Sequence, residues 1–437
     1  MIRRALLVAA GVVASQLGVS AAIAQTVPAS TSPTASGAAA APSTAAAQTP
    51  APGSSETVMV NAGSIGLRMG YDSNPTDILG AHGSMFATQT INYDYLRGSL
   101  QDGIIGLNIK IADTQYDPSV AAPSTSAIIS TTGAIELAPK LALRTTLTTT
   151  VDDSWARRAH GVMLRNRVEY DTTDFRVFAN VDTGINALNE RNVFTLGGFL
   201  PTDENFTTTT FLPGYAYKFG TGEIGASVAL SRVAYLNTTN IFGFDRSQNR
   251  VQPNAFFSVR TNGVEVEGSV SPFFARYDRV ALYENTTYFD DVRQLLYTAK
   301  AKYQTGSWTF GVGSSRTILD TTLSAASLDL ALSHEASVSY KFDDKNAVSV
   351  LARYRRDDYL NADLWSTTFL TGFDFAHDFG DGYIGTAGAS VRQVKRPDEV
   401  QPWAVNVQIG FQKRLDFGDA PKPAADKVAD AKPKTLQ

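Results

Sequence analysis

Toward the carboxyl end every second residue is apolar: Trp403, Val405, Val407, Ile409, Phe411, Leu415 and Phe417, with Lys413 the one exception. Ala404, Asn406, Gln408, Gly410, Gln412, Arg414 and Asp416 lie between them. Successive side chains of a strand point to opposite faces, so this segment predicts a strand with one apolar and one polar side. The alternation recurs at Ile105, Leu107, Ile109 and Ile111 against Gly106, Asn108, Lys110 and Ala112. It appears again at Leu295, Tyr297, Ala299, Ala301 and Tyr303 against Lys300 and Lys302, and at Val348, Val350, Ala352 and Tyr354 against Ser349, Arg353 and Arg355. Such runs approach the roughly nine to eleven residues a tilted strand needs to cross a hydrocarbon layer, against about five or six in an ordinary globular strand.

Short polar or Gly-rich turns punctuate the pattern at Asp171–Asp174, Gly220–Gly222, Thr261–Gly263, Gln304–Gly306, Asp343–Lys345 and Gly380–Gly382, with weaker signals at Gly98–Gly103 and Pro139. Longer polar loops alternate with them, at Asp72–Gly83, Thr114–Pro123, Asp152–His160, Gly184–Glu204, Asn237–Ser247, Asp278–Asp291, Thr317–Leu328, Arg356–Ala362 and Arg396–Gln401. Short turns on one side and long loops on the other predict an all-β fold, a transmembrane antiparallel β-barrel of about eighteen strands (16–20) with no plug domain. An even number places both termini on the short-turn side, the periplasmic side of a bacterial outer membrane. Tyr170, Phe175, Tyr217, Phe219, Tyr303, Trp308, Tyr340, Phe342, Phe379 and Tyr383 flank the short turns, where a headgroup layer accommodates their flat apolar bodies and polar edges.

The ends of the chain have a different composition. Met1–Ala24 opens with Arg3 and Arg4, continues apolar through Ala5–Val13 and finishes Ala22-Ile23-Ala24. That order predicts a secretory signal peptide; the alternative is an uncleaved anchor, and either carries the chain out of the cytoplasm. Residues 25–56 are almost wholly Ala, Pro, Ser, Thr and Gly, and the segment after Phe417 mixes Pro with Lys and Asp. Both have too little apolar bulk to offset the entropy of ordering and are expected to be disordered periplasmic segments flanking a barrel over 57–417. The absence of cysteine removes disulfides, thiolate catalysis and lipoprotein acylation. A formal net charge of -4 gives no support to nucleic-acid binding.

If the apolar positions face lipid, the charged positions between them face water inside the barrel. A Lys or Arg on the lipid face costs roughly 2–4 kcal/mol near the midplane, and barrels of this size enclose an aqueous passage. The lumen-lining candidates are Lys110, Arg144, Arg165, Arg167, Arg176, Lys300, Lys302, Arg353, Arg355, Glu265 and Glu267, joined by Asp94, Glu136, Glu169, Asp182 and Asp416. Arg165 and Arg167 with Arg176, and the pair Arg353 and Arg355, are the strongest for contact with an anionic or hydroxyl-rich solute, because the guanidinium fork bonds carboxylate or phosphate bidentately. Each is alternatively a solvated wall residue paired across the sheet. His82, His160, His334 and His377 have no metal-binding spacing, and no Gly-x-Ser-x-Gly elbow occurs. The expectation is a non-enzymatic protein without cofactors or metal. The Gly184–Glu204 segment is the best candidate for a loop folded into the lumen.

The run Gly66-Leu67-Arg68-Met69-Gly70-Tyr71-Asp72-Ser73-Asn74 resembles the Gly-rich first strand, ending in Tyr-Asp-x-Asn, of the outer-membrane family known as β-barrel porin 2, which is associated with exopolysaccharide export. The resemblance implies a passive conduit working with a periplasmic polysaccharide-export protein, besides the outer-membrane lipid and barrel-assembly machinery any such barrel requires. Composition equally allows a general or anion-leaning small-solute porin, or a surface adhesin or envelope anchor that transports nothing.

Overall fold

A strand carries unpaired backbone groups along each edge, and in lipid these are satisfied only when the sheet closes on itself. The computed structural model shows that closure. It describes residues 57–417 apart from 78, 155–157, 190–203, 237–244, 279–288, 324–325 and 398, so the expected signal peptide, leader and tail lie outside the described residues. The strands are β1 (Val58–Asp72), β2 (Ser84–Ser99), β3 (Gly103–Tyr116), β4 (Ser124–Ala138), β5 (Leu141–Asp153) and β6 (Arg158–Asp171). They continue with β7 (Phe175–Asn189), β8 (Glu204–Phe219), β9 (Gly222–Tyr235), β10 (Gln248–Thr261), β11 (Val264–Tyr277) and β12 (Val292–Thr305). The last are β13 (Trp308–Leu319), β14 (Asp329–Lys341), β15 (Asn346–Tyr359), β16 (Leu364–Gly380), β17 (Tyr383–Arg396), β18 (Glu399–Val400) and β19 (Ala404–Asp416).

Eighteen of these form the wall, each antiparallel to its neighbours, and β1 closes the ring against β19 from Ala62 opposite Asp416 to Asp72 opposite Asn406. The two-residue β18 pairs only with β17. The eight predicted short turns fall together at one end with both ends of the wall, and the long connections fall at the other. Several strands run further toward the long-loop end than the hydrophobic pattern predicts. Residues 114–116, 184–189, 317–319 and 356–359, expected in loops, are strand. Ladder hydrogen bonds continue above the hydrocarbon layer, where the outer face no longer has to be apolar.

The turn residues are those the geometry requires. Asn262 and Gly263 both have positive φ, 40° and 80°, the two-residue hairpin that an Asn-Gly pair favours. Between β14 and β15 the Asp343 carboxylate accepts from the Asn346 side chain at 2.9 Å and from the backbone N–H groups of Lys345 and Asn346 at 2.8 and 2.7 Å. These bonds, the Asn346 side chain first, hold its pKa below the ordinary carboxylate value.

The two faces separate as the alternation predicts. Val312 and Ile409 are 59% and 61% exposed, with Leu67, Ile105, Val350 and Phe373 on the same outer surface. An apolar exterior of this extent belongs in hydrocarbon, not water. Around the short turns the outer aromatics contact one another, as in Trp308 with Tyr340 at 4.5 Å and Tyr383 with Phe411 at 5.4 Å between ring centroids. Lys413, the break in the last strand's alternation, places its ammonium 3.6 Å from the centre of the Tyr383 ring, so the charge sits at the girdle rather than in the apolar band.

Candidate functional site: the lumen and its mouth

Side chains opposite one another across a ladder share a face, so register decides what lines the interior. Arg167 stands opposite Arg144, Arg165 opposite Asp182, Arg353 opposite Glu335, Lys300 opposite Glu267 and Lys302 opposite Glu265, all on the face away from the exposed apolar residues. Lys110 and Arg176 fall on that face by the same alternation. Arg355, two residues after Arg353, shares that face too, so all eleven candidates fall on the side opposite the exposed apolar residues.

The register also brings carboxylates to the arginines. Arg165 grips Asp182 through Nε and Nη2 at 2.9 and 2.7 Å. Arg167 pairs with Glu169 at 2.5 Å, Arg176 with Glu223 at 2.7 Å, Arg353 with Glu335 at 2.5 Å, and Arg355 with Asp357 at 2.7 Å and Asp329 at 4.0 Å. Glu265 and Glu267 both approach Arg260, at 3.9 and 3.5 Å. The five arginines most suited to an anionic solute are thus held by the wall itself. Among the described residues no carboxylate lies within ion-pair distance of Lys110, Lys300 or Lys302.

Phe178 is an inward aromatic missing from the sequence-derived candidates. The guanidinium groups of Arg167 and Arg176 lie 4.4 and 5.5 Å from its ring centre, and the ring packs over Gly214 on the next strand. A Cβ at Gly214 would come within 2.3 Å of it. Gly214→Leu is expected to displace the ring and destabilise the barrel by about 1–3 kcal/mol, read as a lower temperature for loss of the compact, heat-modifiable gel band.

At the long-loop end the described residues of one connection lie against inward-facing side chains of the wall. The connection between β13 and β14 folds inward over the wall: Thr321, Thr322, Leu323 and Leu328 are essentially inaccessible. Asp320 pairs with the inward-facing Arg250 of β10, three strands away. Arg246, 2% exposed, donates to the carbonyls of Thr321 and Leu323, and the Tyr277 hydroxyl donates to the Ser327 carbonyl at 3.3 Å. Beside it Phe273, Tyr277, Phe289, Leu296, Ile318 and Leu328 form one buried apolar cluster. Below it a recess opens into the lumen, lined with hydroxyls and amides including Thr208, Thr210, Ser231, Gln252, Ser269 and Ser271. The loop expected to constrict the lumen, Gly184–Glu204, divides between β7, β8 and residues 190–203, and the latter lie outside the described residues. What betrays this connection in the sequence is its apolar content: Leu323 and Leu328 are unusual in an exposed loop.

A second anchor sits at the closing seam. Arg392, facing inward from β17, donates to Asp72 at 2.9 Å and to Asp77 at 2.7 Å, and also to the Asn74 carbonyl. Asp72 further caps the Asn74 N–H at 2.9 Å, while Ser73 exchanges two hydrogen bonds with Val405. The Tyr-Asp-x-Asn motif therefore has a structural role here: it pins the first long loop across the junction of β1 and β19. Among the described residues no group of His, Asp or Glu is arranged to hold a metal ion.

No family model and no curated relative matches the chain. Among solved structures it is similar to three Pseudomonas aeruginosa barrels. These are OccK5 (OpdH), at 11% identity and TM-score 0.45 over 82% of this chain and 98% of that one, and OccK1 (OpdK), at 10% and 0.42 over 81% and 98%. The third is OccK2 (OpdF) in complex with glucuronate, at 9% and 0.45 over 82% and 98%. The likeness is one of barrel architecture, and it transfers neither ligand nor selectivity.

Proposed function

We propose that this chain is an outer-membrane diffusion channel for small hydrophilic solutes, its short turns and both termini in the periplasm and its long loops outside the cell. The observation that carries the reading is the wet, charged wall inside an apolar exterior, with a mouth narrowed by the 320–328 loop. A passage lined by paired arginines and carboxylates presents little net field, so it is suited to polar solutes of either charge. Lys300 and Lys302 add a local preference for anions.

Export of a polysaccharide has weaker support, because the residues behind that resemblance are engaged at the seam. A narrowed mouth also suits a small solute better than a polymer.

Reconstituted in a planar bilayer, the protein is expected to conduct, with cation and anion permeabilities within about threefold of each other, as for a pore whose lining charges largely compensate. Lys300→Glu combined with Lys302→Glu should shift the ratio several-fold toward cations. Absence of any conductance from correctly folded protein would overturn the channel and favour a surface adhesin or anchor. A normal channel in cells that lose their surface polymer on deletion would restore the export reading.

A further inference from the structure

Five consecutive strands bring one row of polar side chains to the inner wall. By register Arg165 of β6 stands opposite Asp182 of β7, Asp182 opposite Thr210 of β8, Thr210 opposite Ser231 of β9, and Ser231 opposite Arg250 of β10. All five line the recess described above. Its volume of about 390 Å³ falls within the roughly 300–1,000 Å³ of small-molecule sites. A second hydroxyl pair, Ser269 of β11 and Thr298 of β12, extends the polar lining, and Leu212, Phe273 and Leu296 give the recess an apolar side.

The charges of the row are compensated. Arg165 is held on Asp182, and both terminal nitrogens of Arg250 reach Asp320. Arg316, where the β12–β13 ladder ends, donates to the Leu295 carbonyl and the Gln294 side chain, both at 2.9 Å. An ion entering the row meets attraction and repulsion together. Hydrogen-bonding capacity, by contrast, is left over. Thr210 and Ser231 lie 2.8 Å apart, as do Ser269 and Thr298. In each pair one hydroxyl donates to the other, so one O–H and several lone pairs remain for a solute. The Gln252 amide, on the same face of β10, finds no partner among the described residues. Arg250 is 5% exposed, yet its Nε–H is buried without an acceptor. Buried donors are ordinarily satisfied, so this one marks a place that a solute or water completes.

We infer that the recess is a binding subsite for an uncharged sugar. Ring hydroxyls, each both donor and acceptor, bond to the row from Arg165 to Arg250, and the C–H face of the ring lies against Leu212 and Leu296. The inference rests on the diffusion-channel reading proposed above and deepens it: the channel binds such solutes in transit instead of only admitting them.

The test is single-channel recording of the full chain in a planar bilayer. Sucrose should lower the current with a saturable concentration dependence, whereas a poly(ethylene glycol) of similar hydrodynamic size should lower it only in proportion to concentration. Thr210→Val/Ser231→Ala/Ser269→Ala/Thr298→Val removes both members of each hydroxyl pair, so no partner is stranded. The half-saturating sucrose concentration should then rise about tenfold, as for the loss of one or two neutral hydrogen bonds, with open-channel conductance close to the parent's. Ser130→Ala/Thr148→Val removes a comparable pair, 3.0 Å apart on β4 and β5 and outside the recess, and should leave half-saturation unchanged. If the quadruple variant fails to fold, Gln252→Leu, which breaks no bond within the described protein, should still raise it several-fold.

Saturation-transfer-difference NMR of sucrose with the detergent-solubilised chain gives a readout that needs no current. Transfer to the ring protons with the parent, lost in the quadruple variant, upholds the site even if the protein does not conduct, an outcome that defeats the channel reading alone. Absence of transfer with the parent overturns the site. So does a conducting channel that sucrose and poly(ethylene glycol) affect alike, or a block that survives in the variants, and either result leaves the channel standing.

Discussion

Arg392→Met is expected to lower the stability of the barrel by about 3–5 kcal/mol, the range for removing one partner of a buried ion pair. Arg392 is 3% exposed and Asp72 wholly buried, so methionine fills the space yet strands the Asp72 charge without a counter-ion and takes from Asp77 its ion-pair partner. The Asn74 carbonyl loses one of its donors as well. Because Asp72 is the last residue of β1, the damage falls on the junction that closes the ring. The measurement is the urea midpoint of the heat-modifiable band in detergent, together with protease cleavage within residues 73–83. Arg392→Met/Asp72→Asn should recover part of the loss, because it removes the stranded charge along with its partner. An unchanged midpoint in the single variant would show that the seam is held by its ladder alone. Burial already raises the Asp77 pKa, with the neighbouring Arg392 opposing. A raised acid binds its proton more readily in the folded state, so its contribution to stability grows as pH falls through the folded value. Mild acidification is therefore not expected to release this loop through Asp77.

Replacing Thr321–Ser327 by Gly-Gly is expected to raise single-channel conductance about twofold, since a hydrophilic pore conducts according to its narrowest section. The loop is held from several directions: by Asp320 on Arg250, by Arg246 on two carbonyls and by Tyr277 on Ser327. Its own Leu323 and Leu328 are buried. It thus behaves as part of the wall. A milder variant, Arg246→Ala, removes the donors while keeping the loop and should give a noisier current at intermediate conductance. If the excised protein folds and conducts like the parent, the limiting section lies elsewhere in the lumen.

Strand number and the two faces of the wall were legible in the sequence because each depends on local quantities. Period-two alternation assigns a face to every residue, and a turn such as Asn262-Gly263 needs only its own φ angles. Lys110, Lys300 and Arg353 could be assigned to the polar face without knowing which strand stood beside them. Their pairing could not. Whether Arg165 is available to a solute depends on Asp182 standing opposite it, and that is fixed by register seventeen residues away. The same limit hid the structural use of Tyr-Asp-x-Asn, whose Asp72 finds Arg392 across the closed ring, 320 residues along the chain.

Taken alone, the sequence determined a transmembrane barrel with a wet interior, since the cost of a charge in lipid and of an unpaired backbone group is set by residue type and period. Tertiary structure decided which inward-facing charges are spent on one another and that the connection after β13 is tied across to Arg250 and Arg246. Those outcomes depend on distances between residues remote in the chain, and only closure of the sheet fixes them.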